Sequence, residues 1–171
     1  LRGAPMSAAP DPTMEAITAA VVQGREGRTD TARTELLTIW SRIGADGDAL
    51  HRCTLAHYLA DLYDHPAESL IWDVRALDAA QALTDERAQR HHADLRVTGF
   101  LPSLHLNMAD ALRRLGAFDS AADHLSLADR HRWALPDDAY GDMIRTALDE
   151  VHLAIEDRDS TRRLSGPDTS G

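Results

Sequence analysis

The sequence predicts an all-α protein, and three observations support that prediction. Apolar residues recur at spacings of three and four, no stretch alternates apolar and polar residues for long, and alanines recur where paired helices would cross. With 171 residues, 43% of them hydrophobic, the chain is long enough for one domain of ordinary size. We therefore expect one domain built from antiparallel helical hairpins, with about seven helices.

The first four helices are expected before residue 84. Gly24 and Gly27 end helix one, because glycine adopts the left-handed conformation that terminates helices. Asp30 is expected to cap helix two, and Pro66 suits the first position of helix four. The expected helices are 14–23, 30–43, 49–63 and 66–83, and the expected apolar face of the fourth consists of Ala67, Leu70, Ile71, Val74 and Leu77.

Three more helices are expected after an irregular insert, residues 84–101, that has room for a short helix after Thr84. Helices five and six span residues 104–115 and 119–131. The seventh follows a cap at residues 136–138, and its expected buried face consists of Tyr140, Ile144, Ala147, Leu148, Val151 and Ile155.

The folded domain is expected to cover residues 13–157. Residues 1–12 and 158–171 have too few apolar side chains to be buried, so we expect both segments to be flexible. Residues 1–5 have the character of a vector-derived leader before Met6.

The charge composition narrows the range of partners. The formal net charge is −10, and all 18 basic residues are arginine, so lysine chemistry is excluded. Nucleic acids and anionic membranes need clustered positive charge, and neither is expected as a partner. Cys53 is the only cysteine, which excludes an intrachain disulfide and is typical of a reducing cytosol. We expect a cytoplasmic bacterial protein, since lysine-free, arginine-rich chains are typical of GC-rich coding.

The chain contains an internal repeat that becomes visible when Gly27 is placed over Gly116. Small residues then coincide where two antiparallel helices approach closely, and a glycine near the turn allows the chain to reverse tightly. The other matched pairs are Ala20 with Ala109, Ala32 with Ala121, and Leu36 with Leu125.

At these positions the chain resembles the tetratricopeptide repeat (TPR) family. Residues 102–135 match a full repeat, residues 13–46 match in part, and the hairpin after Ala49 lacks the turn glycine. The resemblance implies hairpins stacked as a short right-handed superhelix, capped by the last helix, whose first helices line a groove that binds a peptide or protein. His105 departs from the family, which often has tryptophan there. A generic helical bundle is the alternative.

The resemblance also implies which residues face the groove. Of the five positions of the family's carboxylate clamp, occupied here by Ile17, Val21, Thr54, Ser103 and Asn107, only Asn107 fits. The other groove-facing positions are Cys53, His57, Ala60, Asp61, Leu106, Asp110, Arg113 and Arg114. Asp61 and Asp110 with the two arginines would form a mixed-charge wall able to grip an acidic group. Alternatively, the arginines are solvated or pair with Asp110.

The insert contributes two further candidate residues, His91 and His92. Folded over His57 and Asp61, they would close the groove into a polar pocket, with a metal site as a further alternative. The other interpretation is a short helix that fills a gap between repeats. Trp72 is likewise either an exposed anchor for a partner or a covered side chain. No cofactor is expected.

The sequence favours a binding protein over an enzyme. It lacks glycine-rich phosphate loops, a G-x-S-x-G elbow and a paired-histidine zinc helix. The leading interpretation is a non-catalytic scaffold, a monomer or weak homodimer, that binds a protein or peptide partner in the groove. The alternative is a small-molecule binding protein whose insert closes the pocket. An open, wet groove favours the first, and an enclosed pocket containing His57, His91 or His92 favours the second.

Overall fold

The computed structural model describes residues 9–163, which form eight α-helices and one short 3₁₀ turn and contain no β-strand. The all-α prediction is therefore confirmed. The helices are α1 (Pro12–Arg25), α2 (Thr29–Ile43), α3 (Ala49–Ala60), α4 (Pro66–Ala82), α5 (Asp85–His91), α6 (Val97–Arg114), α7 (Phe118–Arg130) and α8 (Ala139–Glu156).

Polar side chains begin several of these helices. Asp11, Asp48 and Asp138 each accept a hydrogen bond from a backbone N–H in the first turn of α1, α3 and α8. His65 caps α4, and Pro66 occupies its first position, as predicted. The predicted Asp30 cap is wrong, because α2 already begins at Thr29. Asp30 lies in the first turn instead, where its charge favours the positive end of the helix.

The helices pack as successive hairpins. The first hairpin is α1 with α2, the second is α3 with α4, and the third is α6 with α7. The first hairpin contacts α3, α4 contacts α6, and α8 packs on both α6 and α7. Small side chains allow these close approaches, and the fully buried alanines are Ala20, Ala32, Ala56, Ala76, Ala79, Ala88, Ala109, Ala121 and Ala128.

The buried face of α4 differs from the predicted one. Ile71 is 52% exposed, and the buried side of the helix carries Trp72 and Asp73 together with Ala76, Ala79 and Ala80. The reason is that α4 lies between α3 and α6, where small residues let both neighbours approach. Trp72 is covered, since its ring meets that of Trp40 edge-on at 5.1 Å between centroids.

The insert is more regular than expected. Its first part forms α5, and α6 begins at Val97, seven residues earlier than predicted and before Pro102. Phe100 packs against the core. Arg87 holds α5 in place, because its Nε donates to Asp48 at 2.6 Å.

Two hydrophobic clusters form the core. The first cluster is built from α1 to α4 with Leu104, and the second from α6, α7 and α8. Helix α6 contributes to both, so it joins the two halves of the molecule. None of the helices in residues 9–163 combines the length and apolarity needed to cross a bilayer.

Candidate functional site

Polar side chains from neighbouring helices meet on one side of the molecule. The Asn107 amide of α6 lies 3.4 Å from Nδ1 of His57 on α3, and Arg114 donates to the backbone carbonyl of Asp64 just beyond α3. Both contacts join residues 50 positions apart, so α3 and α6 run side by side in the same direction. We call this side the polar face.

Helix α8 continues the polar face beyond α6. Tyr140 at its start is near the hydroxyl of Ser103, and the backbone just after its end meets Arg113. These two contacts show that α8 runs in the same direction as α6. Burial raises the pKa of Tyr140, the Ser103 hydroxyl lowers it, and Tyr58 and Asp61 raise it. Tyr58, Tyr140 and Asp61 therefore share this face.

Asp73 of α4 lies beneath the polar face. Its side chain is buried, and among residues 9–163 its Oδ1 has no hydrogen-bond partner. Burial raises the pKa of Asp73 well above its ordinary value, the Asp61 carboxylate raises it further, the Asn107 side chain lowers it, and Asp110 raises it. The interaction with the Asn107 side chain places the Asp73 carboxyl next to that residue, and the Asp61 and Asp110 carboxylates lie near enough to act on it electrostatically.

Asp61 has a different environment from Asp73. It is exposed to solvent, yet the surrounding protein raises its pKa, with His57 acting in the opposite direction. Within the described residues no ion pair or hydrogen bond engages its side chain. Asp61 is therefore a solvent-accessible carboxylate whose charged form the nearby protein disfavours.

The chain after α8 folds back across the polar face. We call residues 157–163 the C-terminal strap. Arg162 pairs with Asp64 at 3.0 Å, and Arg163 pairs with Glu150 of α8 at 2.6 Å while lying 3.7 Å from Asp110 of α6. The prediction of a flexible tail is therefore wrong for residues 158–163, and residues 164–171 lie outside the described chain.

Arg113 secures the strap and is not available to a partner. It is fully buried, and it donates to the Asp110 carboxylate and to the backbone carbonyls of Asp159 and Thr161. The predicted mixed-charge wall is wrong in this respect, since one of its two arginines is internal. The alternative interpretation, pairing with Asp110, is what the structure shows for Arg113.

The structure brings some of the other predicted site residues together and separates others. His57, Asp61, Asn107, Asp110 and Arg114 all lie on or beside the polar face. Three residues predicted to face the groove are buried instead, namely Cys53, Ala60 and Leu106. Burial raises the pKa of the Cys53 thiol to about 12.

The insert does not close the polar face. His91 lines an open hollow with Asp11 and Met14 at the start of α1, and His92 accepts a hydrogen bond from the Asp94 backbone. No hydrogen bond or ion pair of the described chain joins either histidine to His57. The enclosed pocket containing these histidines is therefore not formed, and α5 fills space beside the first hairpin.

Sequence reasoning missed several residues of the polar face. Tyr58 directly follows His57 in α3, so it could have been identified from the sequence. Asp73 lies among apolar residues of α4, and no pattern in the sequence marks it as a binding residue. Arg162 and Arg163 were assigned to a tail without structure. Their partners are 98 and 13 residues earlier in the chain, a relation that no local pattern reveals.

A second polar contact joins α6 to α7 away from this face. Nδ1 of His105 lies 3.1 Å from Nδ1 of His124, and His105 is only 8% exposed. Burial lowers the pKa of His105 to about 4, with further lowering by His124 and His131. His105 is therefore neutral in the folded protein near pH 7.

No cluster of three or more histidine, cysteine or carboxylate side chains suited to a metal ion occurs within residues 9–163. Comparison with protein-family models, with curated proteins and with solved structures finds no match. The interpretation of the polar face therefore depends on its own geometry.

Proposed function

We propose that this chain is a non-catalytic scaffold that binds a peptide or protein segment along the polar face. One observation carries the proposal. Helices α3, α6 and α8 run side by side and present polar side chains that contact one another across helix boundaries, while residues such as Asp61 stay open to solvent. A polar surface that spans three helices suits an extended segment that lies across them.

The turns support a TPR-like relation between the hairpins. After α1 the N–H of Gly27 bonds to Gly24 and that of Arg28 to Gln23; after α6 the N–H groups of Gly116 and Ala117 bond to Arg113 and Leu112 at the same spacings. Gly27 and Gly116 both have positive φ, 87° and 78°. These are the residues that the repeat alignment pairs, so α1 and α6 end in one geometry.

Helix α8 ends with the same bonding pattern. The N–H of Arg158 bonds to Ile155, that of Asp159 bonds to Ala154, and Arg158 has φ 51° in the position of the turn glycine. In our proposal α8 is accordingly a further first helix, equivalent to α1, α3 and α6. The C-terminal strap then begins where a second helix would otherwise start.

The environment of Cys53 supports binding rather than catalysis. The Cys53 thiol is buried with a pKa of about 12, so it supplies no thiolate near neutral pH. The position of α5 gives no support to a closed small-molecule pocket, because its Arg87 anchors it to Asp48, at the N-terminal end of α3.

The experiment is to select binding peptides from a random library and to map them by NMR on the isotope-labelled protein. We expect shifts in α3, α6 and α8 and few in α2 or α7. The variant His57→Ala should weaken binding about fivefold, equivalent to about 1 kcal/mol. The exposed His152 of α8 pairs with Glu156, and His152→Ala is the matched control. Peptides that perturb the outer helices instead, or that bind both variants equally, would contradict the proposal.

A further inference from the structure

We propose that the polar face recognises a positively charged segment of a partner protein, in which an arginine or lysine side chain pairs with Asp61 beside Tyr58 and Tyr140. This inference rests on the proposed binding function and names the class of partner. Four observations lead to it, and each concerns charge or contact on this one face.

Other carboxylates on or beside the polar face already pair with arginines of this chain. Asp64 pairs with Arg162, Asp110 pairs with Arg113, and Glu150 pairs with Arg163. Asp61 is exposed to solvent and has no such partner within the described residues. It is thus the acid on the face that is open to a cation from outside.

The buried Asp73 carboxyl has no positively charged partner within the described residues. Its Oδ1 is without a hydrogen-bond partner in the described chain, and the Asp61 and Asp110 carboxylates both act on it unfavourably. Three acidic groups held close together repel one another, and a buried oxygen without a partner is costly. A cation bound at Asp61 relieves this repulsion, and an anion increases it.

Aromatic rings beside Asp61 suit a guanidinium or ammonium group. Tyr58 has the Arg25 guanidinium 5.9 Å from its ring centre, and Tyr140 is 44% exposed. A carboxylate flanked by aromatic faces binds such cations through charge and cation–π attraction together. The dispersed acids of α6 and of the loop after α3 match several side chains of one extended segment better than one small ion.

The C-terminal strap shows how a segment that contains arginines can bind to this face. Arg162 and Arg163 are adjacent in the chain, and they reach Asp64, Glu150 and Asp110 on three different elements. The strap of this chain therefore already occupies one end of the polar face. A basic partner segment competes with these two side chains for the same carboxylates.

The first test measures binding of a fluorescent hexa-arginine peptide by anisotropy at low ionic strength. Asp61→Asn should weaken binding about tenfold, which corresponds to about 1.4 kcal/mol. Asp142→Asn is the control, because Asp142 is a highly exposed acid of α8 that pairs with Arg145 of its own helix. Equal weakening by the two variants shows nonspecific attraction to an acidic protein and overturns the proposal. Circular dichroism confirms that each variant is folded.

The second test concerns the strap. The double variant Arg162→Gln with Arg163→Gln removes the internal competitor and should bind hexa-arginine about threefold more tightly. If the double variant does not fold, Arg162→Gln alone is used for the test. The Arg162 side chain is 66% exposed, so its replacement should not disturb the core. If the variant binds hexa-arginine with unchanged or lower affinity, the proposal that the strap and the partner compete is overturned.

Two further probes separate this inference from the proposed function. If hexa-glutamate perturbs α3, α6 and α8 whereas hexa-arginine does not, the charge assignment is overturned and the binding function stands. If no library peptide and neither charged peptide perturbs this face, both fail. Spermidine binding as tightly as hexa-arginine, with the same sensitivity to Asp61→Asn, indicates a small-cation site and overturns the assignment to a protein segment.

Discussion

Buried polar residues distinguish this molecule at the scale of single side chains. Asp73 and Arg113 are both inside the protein. Within residues 9–163 Arg113 has three oxygen partners, whereas one oxygen of Asp73 has none. A buried polar atom without a partner lowers stability, so sites that retain one commonly have a role in binding. The unsatisfied oxygen of Asp73 therefore supports the inference of a bound ligand, whereas the fully paired Arg113 does not.

The buried His105 predicts a pH-dependent stability. Its folded pKa of about 4 lies below the ordinary 6.5, so between these values the unfolded chain binds a proton that the folded protein does not. Stability contributed by neutral His105 is full above pH 6.5 and is lost as the pH falls toward 4. Between pH 7 and pH 4.5 the wild type should lose about 2 kcal/mol more than His105→Leu, measured by urea unfolding.

The control for this prediction is His152→Leu, which alters an exposed histidine paired with Glu156. We expect its pH profile to follow the wild type. The raised pKa of Asp73 acts in the opposite direction, because its penalty is present above its folded pKa and disappears as the pH falls below the ordinary 3.8. Comparing the variant with the wild type cancels that contribution. Parallel profiles for His105→Leu and wild type would contradict the assignment.

At the scale of helices and turns, the sequence predicted the local geometry best where a single residue determines the backbone. Gly27 and Gly116 were matched by alignment, and both adopt positive φ. The buried face of α4 could not be predicted in the same way, since a helix covered by two neighbours has no single apolar stripe. Periodicity identified the helix, but Ile71 and Val74 of the predicted apolar face are exposed.

Substitution of the turn glycine tests this geometry. Gly116→Ala should lower the free energy of unfolding by about 1 kcal/mol, because alanine is strained at φ 78°. Gly99 is the matched control, since it lies inside α6 and an added methyl group would meet nothing within 4 Å. Gly99→Ala should stabilise the protein by about 0.5 kcal/mol through helix propensity. Urea unfolding of the two variants should therefore show changes of opposite sign.

At the scale of the whole molecule, stability is divided between the two core clusters. Contacts join successive hairpins, so each part of the chain is supported mainly by its neighbours. Leu36 is fully buried in the first cluster, and Leu148 is 1% exposed in the second. The sequence predicted one domain but not this division, because it depends on α6 contributing Leu104 to one cluster and Leu106 to the other.

Matched core truncations test the division. Leu148→Ala should cost about 3 kcal/mol and reduce hydrogen-exchange protection more in α6, α7 and α8 than in α1 and α2. Leu36→Ala should cost a similar amount with the opposite distribution. If both variants lose hydrogen-exchange protection equally along the chain, the protein unfolds as one cooperative unit. That result would contradict a division of stability between the two core clusters.

The position of Cys53 gives the chain a natural reporter of its own motions. The thiol is 4% exposed in the first core cluster, and its pKa of about 12 leaves almost none of it ionised at neutral pH. An alkylating reagent therefore reacts with it only after α3 separates from its neighbours. With no other sulfhydryl in the sequence to interfere, the rate of that reaction counts openings of this helix in the unlabelled protein.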